Sequence, residues 1–452
     1  MKKIILLSAV TVLLSSCGIY SKYKPETAVP DNLYGEGIET ADTAGIGDRD
    51  WHELFSDPKL QALIEQGLQN NTDYQSAQLR VKEAEAALMS ARLAFLPSFA
   101  LSPQGTVSSF DARKATQTYS LPVTASWELD IFGKNTNAKR GASEALEGSR
   151  DYTQAVRTRL IATIADSYYT LLMLDRQLTI GQQTLESWEK SIRTLEALKR
   201  AGQSNDAAVL QAQANRMALE SSVLSIRKNI SETENALSAL IALPSQTIER
   251  GTLEDAVFPE TMSVGIPVQL LANRPDVRQA ERNLAQAFYA TNAARAAFYP
   301  SLTLSGTFGW TNNGGGVVVN PGQWLLNAIG SLTQPLFNRG TNIANLKIAK
   351  IKQEEATLLF QQSLLDAGKE VNDALAQWQT ARKQIAIGEQ RIAALQEAVR
   401  KTELLMRHSP TNYLEVLTAQ QSLLDAQQVQ SQNRFDEIQG VINAYHAVGG
   451  GI

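Results

Sequence analysis

Tyr119-Ser120-Leu121-Pro122-Val123-Thr124-Ala125-Ser126-Trp127-Glu128-Leu129-Asp130-Ile131 alternates apolar and polar side chains from end to end. Successive side chains of a strand face opposite ways, so this run has one greasy and one polar face. Later in the chain Leu302, Leu304, Phe308 and Trp310 alternate with Ser301, Thr303, Ser305 and Thr307. Trp324, Leu326, Ala328, Leu332 and Leu336 mark a further apolar face. Two-faced segments of roughly ten residues are the signature of strands in a transmembrane barrel. Trp127, Trp310 and Trp324 suit its interfacial aromatic belts. Pro122 removes one ladder donor, a local weakness in that reading. The linkers, Asp111-Ala112-Arg113-Lys114 and Asn312-Asn313-Gly314-Gly315-Gly316, are polar or glycine-rich, as surface loops should be.

On either side of these strands the pattern turns helical. Asp57 to Phe95, Asn137 to Arg200 and Asp206 to Leu243 are rich in Ala, Leu, Gln, Glu and Arg and lack internal Pro; Asp276 to Phe298, Thr341 to Arg407 and Asn412 to Tyr445 repeat them. A helix of about 64 residues at 1.5 Å rise runs close to 100 Å, so these predict an elongated bundle of parallel rods. Small apolar residues (Ala162, Ala165, Ala393, Ala394) allow close approach.

The order of elements is duplicated. Ala91-Arg92-Leu93-Ala94-Phe95-Leu96-Pro97-Ser98 matches Ala294-Arg295-Ala296-Ala297-Phe298-Tyr299-Pro300-Ser301 at an offset of 203. Val209-Leu210-Gln211-Ala212-Gln213 matches Val416-Leu417-Thr418-Ala419-Gln420 at an offset of 207. One unit of about 200 residues, far longer than a solenoid repeat, therefore occurs twice. Each unit gives two strands and the chain four. An open edge in lipid leaves backbone groups unpaired at several kcal/mol each, so the chain must oligomerise to close a barrel. Two copies give eight strands, too narrow for a duct; three give twelve.

The first residues set the destination. Met1-Lys2-Lys3 is a short positive region and Ile4 to Leu14 an apolar stretch too short for a permanent span, which reads as a secretory signal. Leu14-Ser15-Ser16-Cys17 resembles a bacterial lipobox, with cleavage before Cys17 and a diacylglycerol plus an N-acyl chain on that residue. Several chains at about 0.8 kcal/mol per buried CH2 anchor stably, where one would not. Gly18 stands where an acidic residue would resemble the inner-membrane retention signal. The organisation expected is a leader over 1–16, a lipidated, extended lead segment over 17–50, and two repeats. The first spans 51–250 with strands about 98–131, the second 251–452 with strands about 301–336.

Composition excludes other classes. The 452 residues carry a net charge of −4 with no Lys/Arg-rich run, which sets nucleic-acid binding aside. Cys17 is the single cysteine and His52, His408 and His446 the only histidines, so no disulfide and no Cys/His zinc spacing is available. No Gly-x-Ser-x-Gly turn is present, and Gly133-Lys134-Asn135-Thr136 lacks the upstream glycine of a phosphate loop. Neither an enzyme nor a cofactor-binding protein is expected, and no metal site.

The chain resembles the TolC-like outer-membrane efflux proteins, in the lipoprotein (NodT-type) branch that serves resistance-nodulation-division pumps. The residues carrying the resemblance are Trp51-His52-Glu53-Leu54-Phe55-Ser56-Asp57-Pro58-Lys59-Leu60, Asn273-Arg274-Pro275-Asp276-Val277 with Ala280-Glu281, Phe298-Tyr299-Pro300, and Tyr413-Leu414-Glu415-Val416-Leu417-Thr418-Ala419-Gln420. The resemblance implies an α+β membrane protein: a homotrimer whose long α-helical barrel, a periplasmic tunnel, continues into a twelve-stranded transmembrane β-barrel. It implies a passive exit duct in the Gram-negative outer membrane, for drugs, toxic compounds or metal ions. Its partners would be a periplasmic adaptor, an inner-membrane pump and outer-membrane lipid. A type I secretion channel would share the fold; a structural coiled-coil lipoprotein would explain the helices but not the strands.

In that family acidic side chains near the periplasmic tip line a constriction. Glu415 falls on one such position and Thr418 replaces the acid at the other, so one ring of the gate is kept and one lost. The other reading of Glu415 is a solvated carboxylate at a helix end. His408-Ser409-Pro410 stands where the family has a glycine, and Pro410 supplies the helix break instead. Arg274-Pro275-Asp276 reads as a helix start, with Pro in the first turn and Asp at the positive end of the dipole.

Overall fold

The computed structural model describes residues 21–24, 33, 46, 49–109, 111, 113–258, 273–311, 323–408 and 413–450. The leader, Cys17 and Gly18, most of the lead segment, residues 312–322 and residues 409–412 with Pro410 lie outside the described residues.

Three helices open the described chain: α1 (Trp51–Leu54), α2 (Pro58–Asn70) and α3 (Thr72–Leu93). The sequence predicts one helical stretch from Asp57 to Phe95, and the chain breaks it at Asn71. That side chain accepts from the Tyr74 N–H at 2.9 Å and donates to the Leu240 carbonyl at 2.9 Å, which holds its backbone extended. Capping starts α2 as well. Asp57 accepts from the Lys59 N–H at 2.9 Å before Pro58, the first residue of α2.

Strands β1 (Ser98–Leu101), β2 (Gln104–Ser108) and β3 (Thr116–Leu129) follow, then α4 (Lys134–Arg200) and α5 (Asp206–Leu240). Asp130 accepts from the Asn135 and Thr136 N–H groups at 2.9 and 2.7 Å and so starts α4. Gly202, at φ +73, ends it: the Gln203 N–H reaches the Leu198 carbonyl at 2.9 Å and the Gly202 N–H that of Lys199 at 3.0 Å, a Schellman turn. The order then recurs as α6 (Pro275–Ala296), β4 (Ser301–Thr311), β5 (Gln323–Thr333), α7 (Thr341–His408) and α8 (Tyr413–Ala447). At 67 and 68 residues α4 and α7 are each about 100 Å long. None of the described helices is long and apolar enough to cross a membrane.

The strands form one antiparallel sheet in the order β1–β3–β4–β5, with β2 also on β3. The expected first strand is therefore interrupted, and Pro122 is the reason. The Ser102 N–H donates to the Pro122 carbonyl at 3.0 Å, but Pro122 has no N–H to return the bond. Pro103 beside it likewise adds none, so β1 and β2 pair β3 on either side of the gap. On its other side Pro122 faces Gly309. A residue's N–H and C=O share one direction, so this is the closely spaced, non-hydrogen-bonded kind of pair. A Cβ on Gly309 would sit 2.2 Å from the Leu121 oxygen and 2.7 Å from the Pro122 Cα.

Two compact units make up the fold. One is drawn mainly from Leu79–Asp151 and Gln279–Gln362 and contains the sheet; the other is drawn mainly from Tyr152–Arg278 and Ser363–Ile452. In the second, Ile161, Ile164, Tyr168 and Leu171 of α4 are fully buried with Ile438 and Tyr445 of α8.

Candidate functional site

The register places most of the apolar residues on one face of the sheet, Ile329, opposite Ser305, being on the other. Trp127 pairs Leu304, Val123 pairs Phe308 and Leu121 pairs Trp310; in β5, Leu326 pairs Phe308 and Trp324 pairs Trp310. The opposite face carries Ser126, Thr124 and Ser120 against Ser305, Thr307 and Thr311, with Asn327 beyond. The apolar face is uncovered within the chain: Phe99 is 70%, Leu326 80% and Leu332 69% exposed. A face of that extent, on a protein that must stay in solution, would be an aggregation surface; against lipid it is the required one.

The three tryptophans occupy two levels. Trp127 lies toward the helices, its Nε1–H donating to the Phe95 carbonyl at 2.9 Å. Trp310 and Trp324 pack at the far end with ring centroids 5.0 Å apart and planes tilted by 46°, and Phe308 lies 5.1 Å from Trp324. Leu304, level with Trp127, is six residues from Trp310, which is about 20 Å along the strand. That spacing approaches the ~25 Å apolar band of outer-membrane barrels. Phe132 and Tyr299, stacked at 4.9 Å beside the Trp127 level, were missed by the sequence reading. Both lie just outside the alternating runs, where the period-2 signal has ended.

Glu415 lies exposed in the first turn of α8 and Thr418 exposed one turn on. Thr418 borders a recess of about 390 Å3 with Gln211, Asn215, Tyr413 and Leu414. Beneath it Val416 and Leu417 pack on Ile192, Leu195, Ala208 and Ala212. The duplication breaks here. Ala208, the 207-residue counterpart of Glu415, is fully buried, whereas Glu415 faces out.

Arg274 is more than a helix start. Only 3% exposed, its guanidinium holds both Asp276 oxygens at 2.9 and 2.5 Å, Glu370 at 2.7 Å and the Ala447 carbonyl at 3.0 Å. It thus joins the N-terminus of α6 to α7 and to the end of α8. Although burial pulls the other way, Arg274 holds the Asp276 carboxyl below its ordinary pKa. Burial, with the Arg274 charge, lowers His446. At the 203-residue offset Arg274 stands where Asn71 stands, and Ala447 where Leu240 stands at 207. The same joint is thus made by a neutral amide in one repeat and by an ionic clamp in the other. Among the described residues no group of three or more His, Cys, Asp or Glu could hold a metal ion.

One antiparallel sheet of five strands with an exposed apolar face, joined to helices of this length, points to an outer-membrane duct, and comparison with known proteins gives the family. The model of the outer membrane efflux protein family matches residues 63–243 and again 266–450, and the chain belongs to that family. The cation efflux system protein CusC of Escherichia coli O6:H1 is 30% identical over 454 residues, 98% of this chain and 97% of that protein. The probable outer membrane lipoprotein SilC of Salmonella typhimurium is 28% identical over 457 residues, covering 99% and 98%. A crystal structure of CusC superposes with a TM-score of 0.85 at 28% identity, covering 95% of this chain and 99% of that one. The chain is an outer-membrane channel component of a tripartite efflux system, and its relatives are channels, not enzymes.

Proposed function

We propose that three copies close a twelve-stranded barrel through the outer membrane, continued by a barrel of the long helices into the periplasm. One observation carries this reading: the sheet has one apolar face and two unpaired edges, β1/β2 and β5, which run antiparallel to each other. An even number of alternating strands lets the β5 edge of one copy continue, still antiparallel, onto the β1/β2 edge of the next. Ring closure removes both edges from lipid. The two repeats, 51–250 and 251–452, then occupy equivalent places around the ring. Trp127 with Phe132 and Tyr299 forms the belt nearer the helices, and Trp310 with Trp324 the outer one. The segment 312–322 between β4 and β5 is proposed to lie at the cell surface.

The duct is passive, carrying drugs, toxic compounds or metal ions according to the inner-membrane pump of the resistance-nodulation-division class that a periplasmic adaptor couples to it. Affinity purification of the tagged chain from cells should bring down one adaptor and one such pump. Recovery of a type I secretion ATPase instead would reassign the system.

Cys17 carries the diacylglycerol and N-acyl chain after removal of 1–16. The intact mass of the mature protein should equal the chain from Cys17 plus one diacylglyceryl group and one N-acyl chain; an unmodified Cys17 would refute the anchor.

Glu415 is proposed to line the periplasmic constriction as a ring of three carboxylates. Thr418 adds no second ring, so the electrostatic effect rests on Glu415 alone. In planar bilayers Glu415→Gln should lower cation-over-anion selectivity at least about twofold, because the focused negative potential is gone. It should also lose block by multivalent cations added from the periplasmic side. Unchanged selectivity and block would leave Glu415 an ordinary exposed helix residue.

A further inference from the structure

At all four junctions between the sheet and the helices, an exposed apolar side chain is followed outward by a cation. Toward α7, Leu336 and Phe337 are 93% and 86% exposed, and Arg339 comes two residues on. Toward α4, exposed Ile131 precedes Lys134. Toward α3, Leu96 and Leu93 give way to Arg92, and toward α6, Tyr299 and Phe298 give way to Arg295. A long cationic side chain rooted at the edge of an apolar face keeps its stem in lipid and its charge among the headgroups.

The cations continue where carboxylates do not. Running from the sheet along each helix, the first carboxylate is Glu85 on α3, Glu144 on α4, Glu281 on α6 and Glu354 on α7. That leaves about 12 to 22 Å of each helix without one. The chain as a whole has 46 acidic side chains to 42 Lys and Arg, so the zone departs from its composition. Within it α4 adds Lys139 and Arg140, and α7 adds Lys347, Lys350 and Lys352. Arg92, Arg339, Lys347, Lys350 and Lys352 are exposed and make no ion pair among the described residues. Arg282, at the far edge of the zone on α6, is paired with Glu144 at 3.0 Å. Beside the sheet, Glu128 is taken by Lys134 at 3.0 Å and Asp130 by the first N–H groups of α4. Arg295 and Lys350 share one recess of about 510 Å3, whose other polar lining is Gln353, Glu354, Thr357 and Gln361.

The lead segment delivers two further cations. Tyr23 is docked on α6, its N–H donating to the Tyr289 hydroxyl at 3.2 Å and its ring centroid 5.8 Å from that of Phe288. Arg140 of α4 donates to the Ser21 carbonyl at 3.4 Å. Lys22 and Lys24, on either side of Tyr23, are exposed. They stand five and seven residues after Cys17, the proposed acyl site.

We propose that these side chains form a basic collar that binds anionic phospholipid headgroups in the periplasmic leaflet of the outer membrane. The inference rests on the lipid-facing reading of the sheet above and adds a headgroup preference to it. A zwitterionic headgroup offsets its phosphate with an amine, whereas an anionic one does not. Several cations held at one leaflet surface therefore favour the anionic lipid by their summed attraction. Acyl chains joined to a basic patch make a two-part anchor. Here the basic part is spread over four helices and the lead segment.

The test places the full-length protein in nanodiscs of phosphatidylglycerol and phosphatidylcholine, in equal amounts and with the same acyl chains. Native mass spectrometry then counts the lipids that stay on the ejected protein. A wild type that does not enter the discs would strike the lipid-facing sheet itself, separately from the collar. Given entry, the wild type should retain phosphatidylglycerol over phosphatidylcholine about threefold or more. The preference should shrink in about 1 M salt, where the screening length falls to ~3 Å. Arg339→Gln/Lys347→Gln/Lys350→Gln/Lys352→Gln should remove most of it, and Lys347→Arg/Lys350→Arg/Lys352→Arg should keep it. Lys383→Gln/Arg391→Gln, which removes two exposed cations farther along α7, should leave it unchanged. Equal retention of the two lipids by the wild type would overturn the collar. So would a preference that the remote pair removes just as well. A fourfold glutamine variant that keeps the preference and alters ion selectivity in planar bilayers would also overturn it, by turning those cations to the lumen.

Discussion

Arg274→Ala should destabilise the folded chain by about 3 kcal/mol, the range for removing one partner of a buried ion cluster. Three acceptors lose their donor at once. Asp276 and Glu370 keep 47% and 44% of their side-chain surface and can turn to water, so their loss is softened. The Ala447 carbonyl sits in the buried end of α8 and cannot do so as readily, and the guanidinium volume is left empty. Arg274→Lys should recover less than half of the loss, since an ammonium cannot bond two oxygens of one carboxylate in parallel. The pH dependence follows in sign. Asp276 is held below its ordinary pKa, so its contribution is full above the unfolded value near 4 and is lost as pH falls through the folded one. Thermal melts of wild type in detergent should fall below about pH 4, and those of Arg274→Ala should fall less steeply there. An Arg274→Ala melt equal to wild type at neutral pH would reduce the clamp to a helix start.

Gly309→Val should abolish the SDS-resistant oligomer. The added Cβ meets backbone at 2.2 and 2.7 Å, atoms that no side-chain rotation can move. β3 and β4 are the two inner strands of the sheet, so parting them there breaks the ladder in the middle. The cost is expected to exceed about 3 kcal/mol, beyond ordinary overpacking, which flexible neighbours absorb. Gly309→Ala should already lower the temperature at which the oligomer dissociates. Unheated SDS gel samples of Gly309→Val, and a heating series for Gly309→Ala, decide it; a Gly309→Val oligomer band as strong as that of the wild type would show that β3 and β4 can separate without cost.

The strands and helices were legible because their periods are long and uninterrupted. The Asn137 to Arg200 pattern lacks Pro, and the helix found is Lys134–Arg200. What was illegible depends on partners remote in sequence. Asn71 breaks the expected helix through a carbonyl 169 residues away. The gap between β1 and β2 follows from Pro122 on a neighbouring strand, a residue visible as a weakness but not as the cause of a break elsewhere. Arg274 read as punctuation because its acceptors lie on α7 and at the end of α8. Setting Arg274 against Asn71 at the repeat offset would have shown the clamp, since one position of the joint changes charge there. Glu415 and Thr418 were legible only through resemblance, and their exposure alone does not distinguish a gate from a solvated helix end.

The sheet of one chain cannot close on itself. Native mass spectrometry of the detergent-extracted wild-type protein tests that directly. The expected result is one species of three lipidated chains that resists SDS until heated. A monodisperse single chain, stable in lipid with its strands intact, would contradict the account, because one chain would then have satisfied both sheet edges alone.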